Sequence, residues 1–366
     1  MRSAAGRGHG WTLTTLATLA LAMPALAACG LPGGTPASAL RVERTAVLEY
    51  PPAAADRGAL PPMATADDLG RIYLLAGSPP RILVYDTAGS PGVDARDGGV
   101  SLGQPTHFTA EPDGTLGIFD RARRGLIVLR PGGAQHRVGL PQPPQGDRIA
   151  LAGFGAFAVF GELRSAEGLV RYRLARVDGS REEVVGRMER PLPSIVEYEG
   201  CGVSHIRQRL FERHIVWDER DGLLAAAFGP EYRIERFRDG QPVDTLARDV
   251  PPRAVSEALA AREVGGDVRF EAGTAVCRAS KDAVAAAQGW AETVPEIADL
   301  RIAPGGDVWV LRGAARGEVP AVEVFAADGT FLGALPEGTP FPGAFTGPDS
   351  FVTRDERGLA TYRVLR

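Results

Sequence analysis

The chain has 366 residues, 44% of them hydrophobic and 23% charged, with a formal net charge of −4. That is ample apolar material for a large folded domain and too much for a disordered chain. The mild acidity, with no basic cluster, excludes an electrostatic nucleic-acid surface.

Residues 1–28 read as a signal peptide, with Arg2 and Arg7 as its positive start. Its apolar stretch, Trp11 to Ala22, is too short for an ordinary transmembrane helix. Leu26-Ala27-Ala28-Cys29 resembles the bacterial lipobox. That resemblance implies cleavage before Cys29, a diacylglyceryl thioether on its sulfur, and a membrane partner for the anchor. The alternative is an ordinary secretory signal with an incidental cysteine. Gly30 stands where the resemblance to enterobacterial lipoproteins would place an aspartate for inner-membrane retention, so an exported, outer-membrane lipoprotein is expected. Residues 29–38 (CGLPGGTPAS) have the composition of a flexible tether.

From residue 39 onward a unit recurs: an extended segment, a Gly turn, two β-runs and a D-x-G-like turn. It reads ATADDLG, RIYLLAG, RILVYDTAG over 64–90, returns at 106–133, and follows in worn form at 148–180. Further copies span Arg213–Gly240 and Asp299–Gly329. Turn glycines Gly70, Gly114, Gly155, Gly222 and Gly306 mark the register, and the first two intervals, 44 and 41 residues, suit one four-stranded blade. Alternation such as Ile72, Leu74 and Ile82, Val84 gives each strand an apolar set that a neighbouring blade must cover. After the fifth unit the chain stops one strand short of a sixth. Ala39–Tyr50 (ALRVERTAVLEY) is extended and unassigned, so its pairing with the C-terminal strand would close a six-bladed ring. A frayed extension is the other reading.

The runs Asp307-Val308-Trp309-Val310 and Val322-Glu323-Val324-Phe325-Ala326-Ala327-Asp328-Gly329-Thr330 resemble those of the six-bladed NHL-like and TolB-like propellers, among them bacterial propeller lipoproteins. The likeness covers nearly all of residues 39–366. It implies an all-β, six-bladed β-propeller and leaves activity open, because such rings host binding modules, lyases, lactonases and scaffolds alike.

Two turn-to-turn intervals, 67 and 84 residues, are too long for a blade. They place insertions at about 188–212 and 250–296. Ala254–Val264 and Lys281–Glu292 have helical composition, with Ser280 as a candidate N-cap, so a small helical cap is expected. Both insertions join a fourth strand to the next first strand and therefore leave the same face of the disk. Each holds one cysteine, Cys201 and Cys277. In an oxidising compartment these read as a disulfide, with two free buried thiols as the alternative.

Candidate chemistry is sparse. His107 and His214 fall near the starts of inner strands and are channel candidates, although no His spacing typical of metal ligation supports them. Glu199, His205, Arg207, His214 and Trp290 form the candidate recognition surface on the insertion face. No nucleophile elbow, P-loop or zincin motif occurs. The expected function is a tethered propeller that binds a small molecule, glycan, peptide or envelope protein at its capped face, with no cofactor required. The rival is a lactonase-like hydrolase or lyase using acidic channel residues, possibly with calcium; the complete lack of Asn counts against transferring that family's calcium set.

Overall fold

The computed structural model describes residues 40–50, 60–86, 89–94, 96–153, 155–198, 203–272, 275–355 and 358–365. Six four-stranded antiparallel sheets follow one another along the chain. Blade 1 takes β2 (Leu60–Ala66), β3 (Ile72–Gly77), β4 (Arg81–Tyr85) and β5 (Pro91–Val93); β1 (Arg41–Glu49) belongs elsewhere. Blade 2 has β6 (Pro105–Ala110), β7 (Leu116–Asp120), β8 (Gly125–Leu129) and β9 (Gln135–Gly139). Blade 3 has β10 (Gln145–Ala152), β11 (Gly155–Arg164), β12 (Leu169–Asp178) and β13 (Arg181–Pro191). A separate hairpin, β14 (Ser194–Tyr198) with β15 (Val203–Arg207), precedes blade 4. Blade 4 has β16 (Val216–Arg220), β17 (Leu223–Ala227), β18 (Arg233–Arg238) and β19 (Gln241–Ala247). A cap of α1 (Glu257–Val264), the hairpin β20 (Val268–Ala272) with β21 (Ala275–Ala279), and α2 (Lys281–Gln288) comes next. Blade 5 has β22 (Ile297–Ile302), β23 (Val308–Arg312), β24 (Val322–Phe325) and β25 (Phe331–Ala334).

Blade 6 is built from both ends. Its strands β26 (Ala344–Gly347), β27 (Ser350–Arg354) and β28 (Gly358–Leu365) are completed by β1, which pairs antiparallel with β28 from Arg41↔Leu365 to Glu49↔Gly358. The chain is thus a six-bladed β-propeller closed by its N-terminal strand. The closure removes the edge that a three-stranded last blade would expose.

Period-two alternation makes the ring cohere. Tyr73 and Leu75 face a core shared with Leu116, Ile118 and Ile127 of blade 2, while Ile72, Leu74 and Ala76 face one shared with Val352 and Leu359 of blade 6. The same division repeats around the disk, giving six inter-blade cores. Trp309 is buried between blades 5 and 6 with its ring edge-on to Phe345 and Phe351 at 5.7 and 5.8 Å. Trp217 fills the core between blades 3 and 4.

The inner strands have one edge with no strand partner, and side chains from the preceding blade satisfy some of its amides. Ala110 N donates to Thr65 Oγ1 at 3.0 Å, Leu151 N to Glu111 Oε1 at 3.2 Å, and Ile302 N to Asp218 Oδ2 at 2.8 Å. Each donor stands four residues before its blade's turn glycine, so this is a repeated feature of the ring.

The insertions form one body. Ser256 and Ser280 cap α1 and α2 through Leu259 N and Ala283 N, both at 3.2 Å. Cys277 is fully buried beside Val196 of β14 and Val284 of α2, so the hairpin of the first insertion packs on the second. Glu318, in the β23–β24 loop, accepts from Arg253 at 2.7 Å and also from Arg262, which ties the cap to blade 5. No helix among the described residues is long and apolar enough to cross a membrane.

Candidate functional site: the central channel

Inner strands β2, β6, β10, β16, β22 and β26 surround a cavity of about 530 Å³. In blades 1, 2, 4 and 5 most of its wall comes from the later halves of the inner strands, next to the short Gly turns. Inner strands begin on the insertion face, so this part of the wall lies toward the opposite face. The recognition surface expected from the sequence is on the insertion side.

Two of the wall residues belong to turns of like sequence. Glu111-Pro112-Asp113-Gly114 in blade 2 and Glu219-Arg220-Asp221-Gly222 in blade 4 share the pattern E-x-D-G, but the turns differ: Arg220 pairs with Leu223 directly across Asp221-Gly222, whereas Glu111 N donates to Thr115 O across Pro112-Asp113-Gly114, so the two glutamates line the channel two blades apart in different registers. Glu111 Oε1 accepts from Leu151 N, and Glu219 Oε1 accepts from Gly222 N at 2.9 Å. Burial, with the Glu219 carboxylate nearby, pushes Glu111 up to about 8. Burial also pushes Glu219 up to about 7; the Gly222 amide opposes this, and Asp218 and Asp221 add to it. At neutral pH a proton therefore resides on one or both.

Arginines brace the same space. Arg148 reaches from blade 3 across to blades 4 and 5, donating to Asp299 Oδ1 at 2.8 Å, Leu300 O at 3.1 Å and Trp217 O, with Asp218 at 3.6 Å. Burial raises Asp218 to about 6 against the pull of Arg148 and the Ile302 amide. Arg301 donates to Gly343 O at 3.1 Å and pairs with Asp299 at 3.5 Å. Arg220 forms an ion pair with Asp68. Blades 1 and 4 are opposite one another in a ring of six, so that pair spans the channel.

The residues expected from sequence fall elsewhere. His107 is buried edge-on to Phe119 at 5.8 Å, and its Nε2 meets Gly146 O at 3.1 Å. It lines neither the channel nor the smaller cavity, because alternation along β6 turns it toward blade 3, while Phe108 packs toward blade 1 and borders the channel with Thr106. His214 is exposed and lines the smaller cavity of about 160 Å³ with Tyr172, Arg190 and Asp299. Arg148 lines both cavities. His205 is half-buried opposite Val196, and Arg207 is exposed opposite Ser194 on the β14–β15 hairpin. Trp290 is half-buried against Ala260, Ala261 and Ala285, where it joins the helices to Leu210 of the first insertion. Cys29, Glu199 and Cys201 lie outside the described residues.

Calcium does not fit this wall. Among the described residues no three of His, Cys, Asp and Glu stand together so as to hold a metal ion. Glu111, Asp218 and Glu219 each already accept a backbone amide.

No family model matches the chain, and no curated protein matches it either. Among solved structures it is similar to a gluconolactonase from Xanthomonas campestris, at 12% identity and a TM-score of 0.40, with 83% of this chain and 86% of that one covered. It is also similar to a virginiamycin B lyase from Staphylococcus aureus, at 12% identity and a TM-score of 0.38, covering 89% and 99%. A chain of a nidogen/laminin complex gives 11% and 0.36, covering 74% and 78%. Likenesses this faint carry no argument about activity; the six blades follow from the chain's own strand pairing.

Proposed function

We propose that this protein is a lipid-anchored envelope propeller whose central channel binds a small polar molecule. The observation that carries the reading is the channel wall itself: a cavity of about 530 Å³ enclosed by all six blades, into which blades 2 to 5 present the guanidinium groups of Arg148, Arg220 and Arg301 and the carboxyl groups of Glu111, Asp218 and Glu219. A cavity of this size, with convergent polar groups and displaced carboxyl titrations, is where ligand binding is expected. Export and attachment through Cys29, with the outer membrane as its site, are part of the proposal and rest on the lipobox-like Leu26-Ala27-Ala28-Cys29. A Cys201–Cys277 disulfide is proposed as well. Its support is the burial of Cys277 beside Val196, five residues before Cys201, in an oxidising compartment.

The raised pair Glu111 and Glu219 favours one second reading, a hydrolase or lyase using the two as acid and base without calcium. The two readings share a test. Mature protein extracted from its membrane is examined by native mass spectrometry for a co-purifying small molecule, alongside Thr106→Trp, which narrows the channel at an exposed wall position. Binding predicts a ligand lost in the variant. An identical ligand load in Thr106→Trp overturns the channel reading, and turnover of a supplied ester or lactone that Glu219→Gln abolishes favours the enzyme.

A further inference from the structure

We propose that the channel takes a small organic anion, a carboxylate or phosphate ester, which pairs with Arg220 in place of Asp68. This inference rests on the reading of the channel as the ligand site and names the chemistry of what enters it.

Arg220 leaves the end of β16 and is 13% exposed. A guanidinium carries five donors in a planar fork, and one carboxylate accepts two of them at most in bidentate pairing. The Nε of Arg220 is buried and has no hydrogen-bond partner among the described residues. Burial lowers the guanidinium below its ordinary range, and Asp221 opposes this. The other wall arginines are engaged, Arg148 by Asp299, Asp218 and two carbonyls, Arg301 by Gly343 O and Asp299, and Arg354 by the Tyr50 hydroxyl. Arg220 is therefore a cation with a donor to spare beside the cavity. Its present partner, Asp68, belongs to the β2–β3 turn and is 28% exposed, so water can take over its carboxylate when an anion displaces it.

The carboxyls make room for negative charge. Glu111 faces Glu219, Asp113 and Asp221, and Glu219 faces Asp218, Asp221 and Arg176. Held at about 8 and about 7, they offer O–H donors near neutral pH. An arriving anion stabilises their protonated forms, so binding takes up protons and weakens as pH rises through that range. A cation seated between the two glutamates would release protons and bind more tightly as pH rises. The sign of the pH dependence separates the two ligand classes.

The test is calorimetry on the mature protein in detergent with matched probes: glucuronate against methyl glucoside, succinate against succinamide, and inorganic phosphate as a third anion. The charged members are expected to bind and their neutral counterparts not to. Arg220→Met is expected to weaken binding about tenfold or more, Arg220→Lys less, and Asp68→Asn to strengthen it by removing the competitor. A neutral probe that binds as well as its anion, affinity that rises with pH, or no binding of any anion at tens of millimolar overturns the proposal. Arms with Thr106→Trp keep the two ideas apart. Anion binding that survives both Thr106→Trp and Arg220→Met removes the site from the channel, whereas neutral-probe binding blocked by Thr106→Trp keeps the channel and rejects the anion.

Discussion

Glu111→Gln tests the buried carboxyl directly. The amide keeps an oxygen for Leu151 N, so the inter-blade hydrogen bond survives while the titration is deleted. Burial raises this carboxyl from 4.5 to about 8, so between those values the folded chain holds a proton that the unfolded chain has lost. Stability from this group is therefore greatest below about 4.5, falls as pH rises, and levels off above about 8. At 1.36 kcal/mol per pH unit the full span sets a ceiling of about 5 kcal/mol. Half of that ceiling moves the Tm by about 5 °C in a chain of this size. The Tm of wild type should thus fall relative to Glu111→Gln between pH 5 and pH 8.5, in a broad step because Glu219 titrates alongside. Differential scanning calorimetry across that range measures it. Parallel Tm profiles for the two proteins would refute the reasoning, since they would mean that the carboxyl ionises as freely in the channel as in water.

Other perturbations report on other parts of the molecule. Cys29→Ser should move the protein from the membrane to the soluble fraction, and unchanged partitioning with no lipid on the mature N-terminus would reject the anchor. A Cβ at Gly358 would run into the carbonyl oxygen of Leu48 where β28 meets β1, so Gly358→Ala should lower stability by about 2 kcal/mol or more, read from urea unfolding. Deleting residues 39–50 should cost far more than deleting 30–38, and equal Tm values would contradict the seam described above. Nonreducing peptide mapping of protein from its native compartment should recover Cys201 and Cys277 joined; two free thiols would end that proposal. Arg253 and the other partners of Glu318 hold its carboxyl down at about 2, so Glu318→Gln should hasten proteolysis within 250–296 above pH 5 and leave the blades intact.

The ring was legible because each blade writes its own local signal. Ile72, Leu74 and Ala76 on one side and Tyr73 and Leu75 on the other need only period-two alternation to be assigned, and the closing strand follows from a strand count. Ser280 announced α2 in the same local way. The hairpins β14–β15 and β20–β21 were not foreseen; the second is a short run such as AVCRA lying between two helical stretches. The channel was harder for a different reason. Its groups arrive one or two per blade from positions far apart in sequence, so Glu111 and Glu219 looked like parts of ordinary turns. Arg148 and Arg220 were hidden by abundance, among 41 lysines and arginines. The histidines drew notice because only five exist, yet the alternation of β6 alone was enough to turn His107 away from the axis.

The seam between β1 and β28 also decides how the molecule meets mechanical load. β1 begins at Arg41 and runs antiparallel against the C-terminal strand, so a pull on whatever precedes Arg41 is taken along the strand axis. Such a pull shears the ladder, and every rung from Arg41↔Leu365 to Glu49↔Gly358 resists at once instead of parting one by one. The rate at which the seam opens under tension, more than the equilibrium stability of the disk, then sets how long the ring survives being tugged.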